Sequence, residues 1–261
     1  MRRMSKEIIY GRNVVLEALR AGRKVYKLLI TNEVIKKEAE ILKYIKKLNI
    51  EYERIDSKKI KQVVHQKYDL SGQLQGLVAE VAKYEYMELD ELLEKFRKRE
   101  KPAFVVMLDG LEDTHNLGAI LRSAEAVGVD AVIIPKHGSV RLGSAVARLS
   151  AGAIEYVPVV CVTNLNRTIQ RLKKSGIWVV GTDMSESEDY RVVDMTMPVC
   201  IVIGSEGRGI SRLVKEVCDF RVHLPMTGNI TSLNASVAAA LLMYEVYNQR
   251  NPAKKINMRN G

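Results

Sequence analysis

Between Pro102 and Arg250 the chain alternates short, continuous apolar runs with helical patterns, and this restricts it to few architectures. Apolar runs fall at residues 104–108, 131–135, 155–160, 178–182, 199–203 and 220–224. Helical periodicity falls at 117–127, 144–150, 164–174, 210–217 and 232–250. A strand with one wet face alternates apolar and polar residues, whereas a strand apolar throughout is covered on both faces. Runs of the second kind, separated by helices, predict an α/β fold with a mostly parallel sheet. In such sheets ligands bind at the carboxyl ends of the strands, where loops present free backbone N–H and C=O groups. Residues 199–242 contain two such strand-loop-helix units in tandem. The first opens into Gly204-Ser205-Glu206-Gly207-Arg208-Gly209. The second opens into Pro225-Met226-Thr227-Gly228-Asn229 and a small-residue helix from about Ser232. Only the stretch from Asp109 to Gly128 is as dense in these signals.

The first hundred residues read differently. Residues 5–82 form a small α/β unit: a helix after Tyr10-Gly11-Arg12-Asn13, a strand at 27–31, an amphipathic helix at 35–48 and a strand at 50–55. A short helix then starts near Ser57, which suits an N-cap, and a closing strand covers 76–81. The polar, glycine-punctuated loop at 70–76 is either an RNA contact or a plain turn. Residues 83–101 make a charged connector with a helical stripe at Leu89, Leu92, Leu93 and Phe96, and Pro102 marks the boundary of a second domain at 102–250. The tail, 251–261, is polar and is expected to be disordered. Residues 1–100 carry 23 Lys and Arg against 16 Asp and Glu, so most of the net charge of +10 lies there. A basic front half beside a nearly balanced rear half suits a polyanion grip ahead of a chemical domain.

Several functions are excluded by what is missing. The glycine loop at 204–209 is GxxGxG, not the dinucleotide GxGxxG, and no Walker lysine-serine follows it. There is no HExxH, no CxxC and no Ser-His-Asp pattern, and the four histidines lack ligand spacing, so no metal site is signalled. Cys161, Cys200 and Cys218 sit in apolar patterns and read as small buried hydrophobes. No apolar run approaches the roughly 20 residues of a membrane span. The opening, MRRMSKEIIYG, has no apolar h-region, and a cytoplasmic protein is expected.

The residues left for chemistry lie in three stretches. Asn116 occupies an N-cap position before a stripe of Leu117, Ile120, Leu121 and Ala124, and Arg122 falls beside that stripe. Glu206 either orients a neighbouring group or caps the helix that follows it. Ser232 reads as an N-cap, with Asn234 and Ser236 in the first turns.

Together and in this order, the three stretches resemble the motifs of the SpoU (TrmH) family of RNA ribose 2′-O-methyltransferases. Asn116, Gly118, Arg122 and Ser123 match the first motif, and Gly204, Glu206 and Gly209 the second. Pro225, Met226, Ser232, Leu233, Asn234 and Ser236 match the third, with Ala235 where many members carry valine. The front unit is similar to the ribosomal-protein-like RNA-binding domain of members that methylate a guanosine ribose in 23S rRNA. The resemblance implies a trefoil-knotted domain of the SPOUT type, a homodimer, and S-adenosyl-L-methionine held by Thr182, Gly204, Gly209, Leu224, Met226 and Leu233. It implies catalysis by Arg122, acting as base or as electrostatic stabiliser, with Asn116, Glu206, Ser232 and Asn234 positioning it and the substrate. A tRNA substrate, or a non-catalytic RNA-binding or ribosome-assembly protein of the same fold, are the alternatives.

Overall fold

In the computed structural model, residues 6–68, 73–185, 187–229 and 232–253 are described, and they group into two compact units. The first unit contains the chain up to Glu85 together with Leu117–Arg122 and Val140–Val157; the second takes Tyr86–Asn116, Ser123–Ser139 and the chain from Pro158.

The first unit is built on a four-stranded sheet. In chain order it has β1 (Lys6–Tyr10), α1 (Arg12–Arg20), β2 (Val25–Thr31), α2 (Asn32–Lys37), α3 (Ala39–Lys47), β3 (Tyr52–Ile55), α4 (Ile60–Tyr68) and β4 (Leu77–Ala82). The sheet order is β1-β4-β2-β3, so β4, last in sequence, is interior and antiparallel to β1 and β2. Three details differ from the sequence expectation. Strand β1 was not expected, because its five residues are too few to show a period. The helix expected at 35–48 is two helices, broken at Glu38, whose backbone leaves the helical region (φ −111°, ψ 70°). The cap expected at Ser57 is supplied by Asp56, whose carboxylate accepts from Lys58 N at 2.8 Å and whose carbonyl accepts from Ile60 N at 3.0 Å. Residues 70–72 of the glycine-punctuated loop lie outside the described residues. Its end turns back on α1: Gln75 Oε1 accepts from Arg12 N at 2.9 Å. Gly76 follows with φ +75°, where a Cβ would lie 2.4 Å from Thr31 Oγ1.

The second unit carries the long sheet. Its elements are α5 (Leu89–Arg97), β5 (Phe104–Asp109), α6 (Thr114–Val127), β6 (Ala131–Pro135), α7 (Ser144–Leu149), β7 (Val159–Val162), α8 (Leu165–Lys174), β8 (Trp178–Thr182), β9 (Glu188–Asp189), β10 (Val199–Gly204), α9 (Arg212–Val217), β11 (Phe220–His223) and α10 (Ala235–Arg250); α7 and the middle of α6 belong to the first unit. The seven strands run β7-β6-β5-β10-β8-β11-β9, every described pair parallel. As the continuous apolar runs predict, all six residues of β10 are buried. The run expected as a strand at 155–160 starts its ladder later, at Val159. Residues Ala153–Glu155 form a 3-10 turn, and Pro158 has no N–H to give the ladder.

Residues 83–101, expected as a connector, contain a packed element. Leu89, Leu92 and Leu93 of α5 are buried in one cluster with Ile133, Ile169 and Val202, and Met87 N donates to Val159 O at 2.9 Å. Most charges of this span lie on the solvent face, among them the i,i+4 pairs Glu91–Lys95 and Glu94–Lys98, while half-buried Arg99 turns inward to pair with Asp130. Of the polar tail, residues 254–261 lie outside the described residues. No described helix is long and apolar enough to cross a membrane.

The remainder of the first unit packs α7 on β1 and crosses α6 over α7 at close range. A Cβ on Gly118 would lie 2.5 Å from Leu149 Cβ, so glycine there sets the approach. Beside this crossing, the Arg23 side chain is 8% exposed and donates to Ala82 O (2.8 Å), Glu7 (2.9 Å) and Glu155 (3.0 Å). Its guanidinium stacks 3.5 Å from the Tyr84 ring centroid, and the Tyr84 hydroxyl donates to Glu155 at 2.7 Å. Burial pushes the Glu155 carboxyl above its ordinary range, against the pull of Tyr84 and Arg23.

Removing one partner of a buried ion pair strands the other, at a cost of roughly 3–5 kcal/mol. Arg23→Met therefore strands two carboxylates, and its loss of stability at pH 7 is expected in that range. Without the guanidinium, burial raises the Glu155 carboxyl further, so protonation favours the folded state and part of the loss returns as the pH falls from 7 to 5. Urea denaturation at both values checks this; an equal deficit at the two would contradict it.

Candidate active site

Strand order creates the site. The chain leaves β5 towards β6 and leaves β10 towards β11, on the other side of the pair, so adjacent strands send their loops apart. A crevice opens at such a switch point. The two strand ends are level, Gly204 lying in register with Asp109.

The loop after β10 folds back on its own strand: Gly209 N donates to Ser205 O at 3.0 Å. A Cβ on Gly204 would lie 2.0 Å from Gly209 C and 2.2 Å from Ile210 N, so no larger residue fits. Asp109 fixes the far end of the loop, its Oδ2 accepting from Ser211 N at 2.7 Å.

This hairpin-like loop presents Glu206, and three stretches of sequence converge on its carboxylate. Oε1 accepts from Asn116 Nδ2 (3.0 Å), Asn234 Nδ2 (2.5 Å) and Ala235 N (3.3 Å). Asn234 Nδ2 also donates to Asn116 Oδ1 at 2.9 Å, closing a triangle of side chains. Asn116 is 6% exposed, and this triangle satisfies both ends of its amide. Oε2 of Glu206 accepts no hydrogen bond among the described residues.

These contacts correct two local expectations and decide between the two roles expected of Glu206. Asn116 is not an N-cap; it is the third residue of α6, whose cap is Asp113, accepting from His115 N at 2.9 Å. Ser232 is not the cap of α10 either. That cap is Asn234, whose Oδ1 accepts from Ser236 N (2.9 Å) and Val237 N (3.3 Å), while Ser232 is exposed ahead of the helix. Glu206 does not cap the helix that follows it but touches the first residue of α10. Arg122 lies outside the triangle. Six residues beyond Asn116, it sits about 9 Å further along α6 and a third of a turn round. It is exposed, with no hydrogen bond or ion pair among the described residues.

A cavity of about 360 Å³ adjoins the triangle at the ends of β8, β10 and β11. Thr182, Gly204, Gly209, Leu224, Met226 and Leu233 all line it, as do Ser232 and Glu206. A polar cleft of about 300 Å³, lined by Gly110, Glu112, Asp113, Asn116 and Arg208, also has Glu206 in its wall. Among the polar residues of the cavity that were missed from sequence are Asp183, directly after β8, and Lys215 of α9. The Asp183 side chain is 5% exposed, and its Oδ1 accepts from Lys215 Nζ at 2.8 Å. Burial works to raise its carboxyl, but Lys215 and two bonds from Ser185 outweigh burial and hold it below the usual carboxylate range. The only signal in the sequence was a carboxylate at a strand end; its burial is a tertiary property.

Comparison with known proteins matches this arrangement. The profile of the SpoU rRNA Methylase family matches residues 103–244, and that of the RNA 2′-O ribose methyltransferase substrate-binding domain matches residues 8–87. The chain is 50% identical over 247 residues to the putative TrmH family tRNA/rRNA methyltransferase YacO of Bacillus subtilis, covering 94% of this chain and 97% of the relative. A putative TrmH family tRNA/rRNA methyltransferase of Staphylococcus saprophyticus is 47% identical over 249 residues, covering 95% and 98%. Among solved structures, the SpoU methyltransferase AviRb from Streptomyces viridochromogenes, in complex with AdoMet, superposes with a TM-score of 0.77 at 25% identity, covering 95% of this chain and 92% of that one. The AdoMet-bound rRNA methyltransferase from Sinorhizobium meliloti shares the fold, with a TM-score of 0.77 at 21% identity over 95% and 88% of the two chains. The chain belongs to the SpoU rRNA methylase family and is an RNA methyltransferase.

Asn234 tests the triangle. Asn234→Ala is expected to lower stability by about 2–4 kcal/mol at both pH 5 and pH 7. The lost N-cap contributes about 1 kcal/mol, and leaving the nearly buried Asn116 oxygen without its donor costs about 1–3 kcal/mol. Asn234→Asp keeps a cap oxygen but sets a second carboxylate against Glu206. Its deficit should appear at pH 7 and shrink towards pH 5, as one proton enters the pair. Thermal or urea denaturation across that range separates the two behaviours.

Proposed function

We propose that this protein transfers a methyl group from S-adenosyl-L-methionine to the 2′-hydroxyl of a guanosine ribose in large-subunit (23S) rRNA. The observation that carries the reading is the convergence of Asn116 and Asn234 on Glu206, which lines the 360 Å³ cavity. The cavity fits the cofactor in kind. Ile203, Val222, Leu224 and Leu242 offer an apolar lining for a flat base, and the glycine loop keeps backbone groups bare of side chains. On this reading Thr182, Gly204, Gly209, Leu224, Met226 and Leu233 hold the cofactor, which supplies an electrophilic methyl group on a sulfonium.

A ribose hydroxyl is a poor nucleophile until its proton leaves or its developing negative charge is stabilised. Arg122 is suited to the second task, since a guanidinium stays protonated in proteins. It orients the target phosphate and stabilises charge on the ribose oxygen. Glu206, with Oε1 engaged by the two asparagines, keeps Oε2 for a donor on the substrate, and Ser232 stands at the cavity edge. Fixing two substrates in one geometry supplies much of the rate in such a transfer.

RNA is gripped by the front domain, residues 5–82, and methylated by the domain at 102–250, in the cytoplasm. The added grip favours a large folded RNA such as rRNA, which proteins read through shape and unpaired loops. A homodimer is part of the reading, supported by an exposed apolar stripe on α10 at one helical spacing: Val237, Leu241, Tyr244 and Tyr247. So is a trefoil knot, supported by the insertion of β10 between β5 and β8 and the packing of α10 on β10.

Labelled S-adenosylmethionine incubated with total RNA tests the reading. Label is expected at one site in large-subunit rRNA that resists alkaline cleavage. Arg122→Ala should reduce it about 100-fold or more, with cofactor binding retained. Label in tRNA would move the substrate. Cofactor binding without label in any RNA would support a non-catalytic RNA-binding or ribosome-assembly role.

A further inference from the structure

The Asp183–Lys215 pair has more hydrogen-bonding capacity than the protein uses. Asp183 Oδ1 takes three donors: Lys215 Nζ (2.8 Å), Ser185 Oγ (3.1 Å) and Ser185 N (3.2 Å). Oδ2 takes none among the described residues, although the side chain is only 5% exposed and the residue lines the cavity. That oxygen is not sealed inside the protein, so a guest in the cavity can reach it. Lys215 also lines the cavity, and its ammonium has no partner but Asp183 among the described residues, which leaves it two donors. The pair therefore offers a guest one acceptor and adjacent donors, with no net charge.

We infer that Asp183 and Lys215 read the vicinal diol of a ribose: one hydroxyl donates to Asp183 Oδ2 and its neighbour accepts from Lys215. This rests on the S-adenosylmethionine reading of the cavity and names the residues that select its nucleoside sugar. The chemistry of the guest supports the choice among its polar parts. A diol carries no charge and presents a donor and an acceptor on adjacent carbons, which matches a pair without net charge that offers one acceptor beside free donors. The adenine edge is neutral as well, but its flat faces suit the apolar wall formed by Ile203, Val222, Leu224 and Leu242. Asp183 instead is followed by exposed Met184 and Ser185. An acidic residue on a ribose diol at a strand end also has a precedent in dinucleotide-binding sheets, where it arises on a different loop.

Isothermal titration of the full chain with S-adenosylhomocysteine, its 2′-deoxy and 3′-deoxy analogues and an analogue lacking the 6-amino group tests this. The wild type is expected to lose tenfold or more in affinity for at least one deoxy analogue. Asp183→Asn is expected to bind S-adenosylhomocysteine tenfold or more weakly and to lose most of its discrimination against that analogue. Should Asp183→Asn fail to fold, as read by its thermal melt, Lys215→Met carries the same comparison. Equal affinity of the wild type for all the sugars would overturn the inference, as would discrimination unchanged in Asp183→Asn. A loss confined to the analogue without the 6-amino group would place the base, not the sugar, on this pair. Failure of the wild type to bind S-adenosylhomocysteine at all would overturn the cofactor reading itself, and this inference with it.

Discussion

One carboxylate oxygen holds the chemical part of this fold together. Glu206 Oε1 receives Asn116 from the start of α6, Asn234 from the N-cap of α10 and the first backbone N–H of that helix. These residues lie 90 and 28 positions from Glu206 in sequence, so no local propensity brings them together. Charge-assisted hydrogen bonds of this kind are about twice as strong as neutral ones. Asn116 is nearly buried, and an amide there without partners would carry a desolvation cost of about 1–3 kcal/mol. The same contacts tie the first turn of α6 and the start of α10 to the loop after β10.

The sheet determines what surrounds this point. Because β5 and β10 are neighbours whose connections diverge, their ends are left open on the carboxyl side, and the Gly204 loop closes only part of the gap. A cavity lined by bare backbone and apolar side chains results, with a few charged groups at fixed places. The tightness is local and steric. Gly204 under its own loop and Gly118 under Leu149 are positions where one methyl group has no space.

The class of the fold was legible because fully buried parallel strands leave continuous apolar runs, and β8 begins and ends where its run does. The three chemical stretches were legible through their order. Local assignments failed where several residues satisfied the same rule. Ser232, Asn234 and Asn116 are all good N-caps by type, and tertiary partners decide among them: Asn234 caps α10 because Glu206 holds its amide, and Asp113 takes the cap of α6, freeing Asn116. Strand β1 was too short to show a period, and α5 looked like a connector because its charged face outnumbers its four-residue apolar stripe. Asp183 was legible only as a carboxylate at a strand end, since nothing in the sequence separates one in a cavity wall from one in a surface turn.

The composite make-up of the first unit has a consequence for synthesis. Its sheet is complete by residue 82, yet Arg23 and Tyr84 find Glu155, and β1 finds α7, only in a segment made some 70 residues later. At translation rates of about 5–20 residues per second, that gap lasts roughly 4–14 s. Through it, the nascent front unit carries a cation without one of its two carboxylates and a sheet edge without its helix. The segment that matches the substrate-binding domain is thus made well before the residues that complete its own unit.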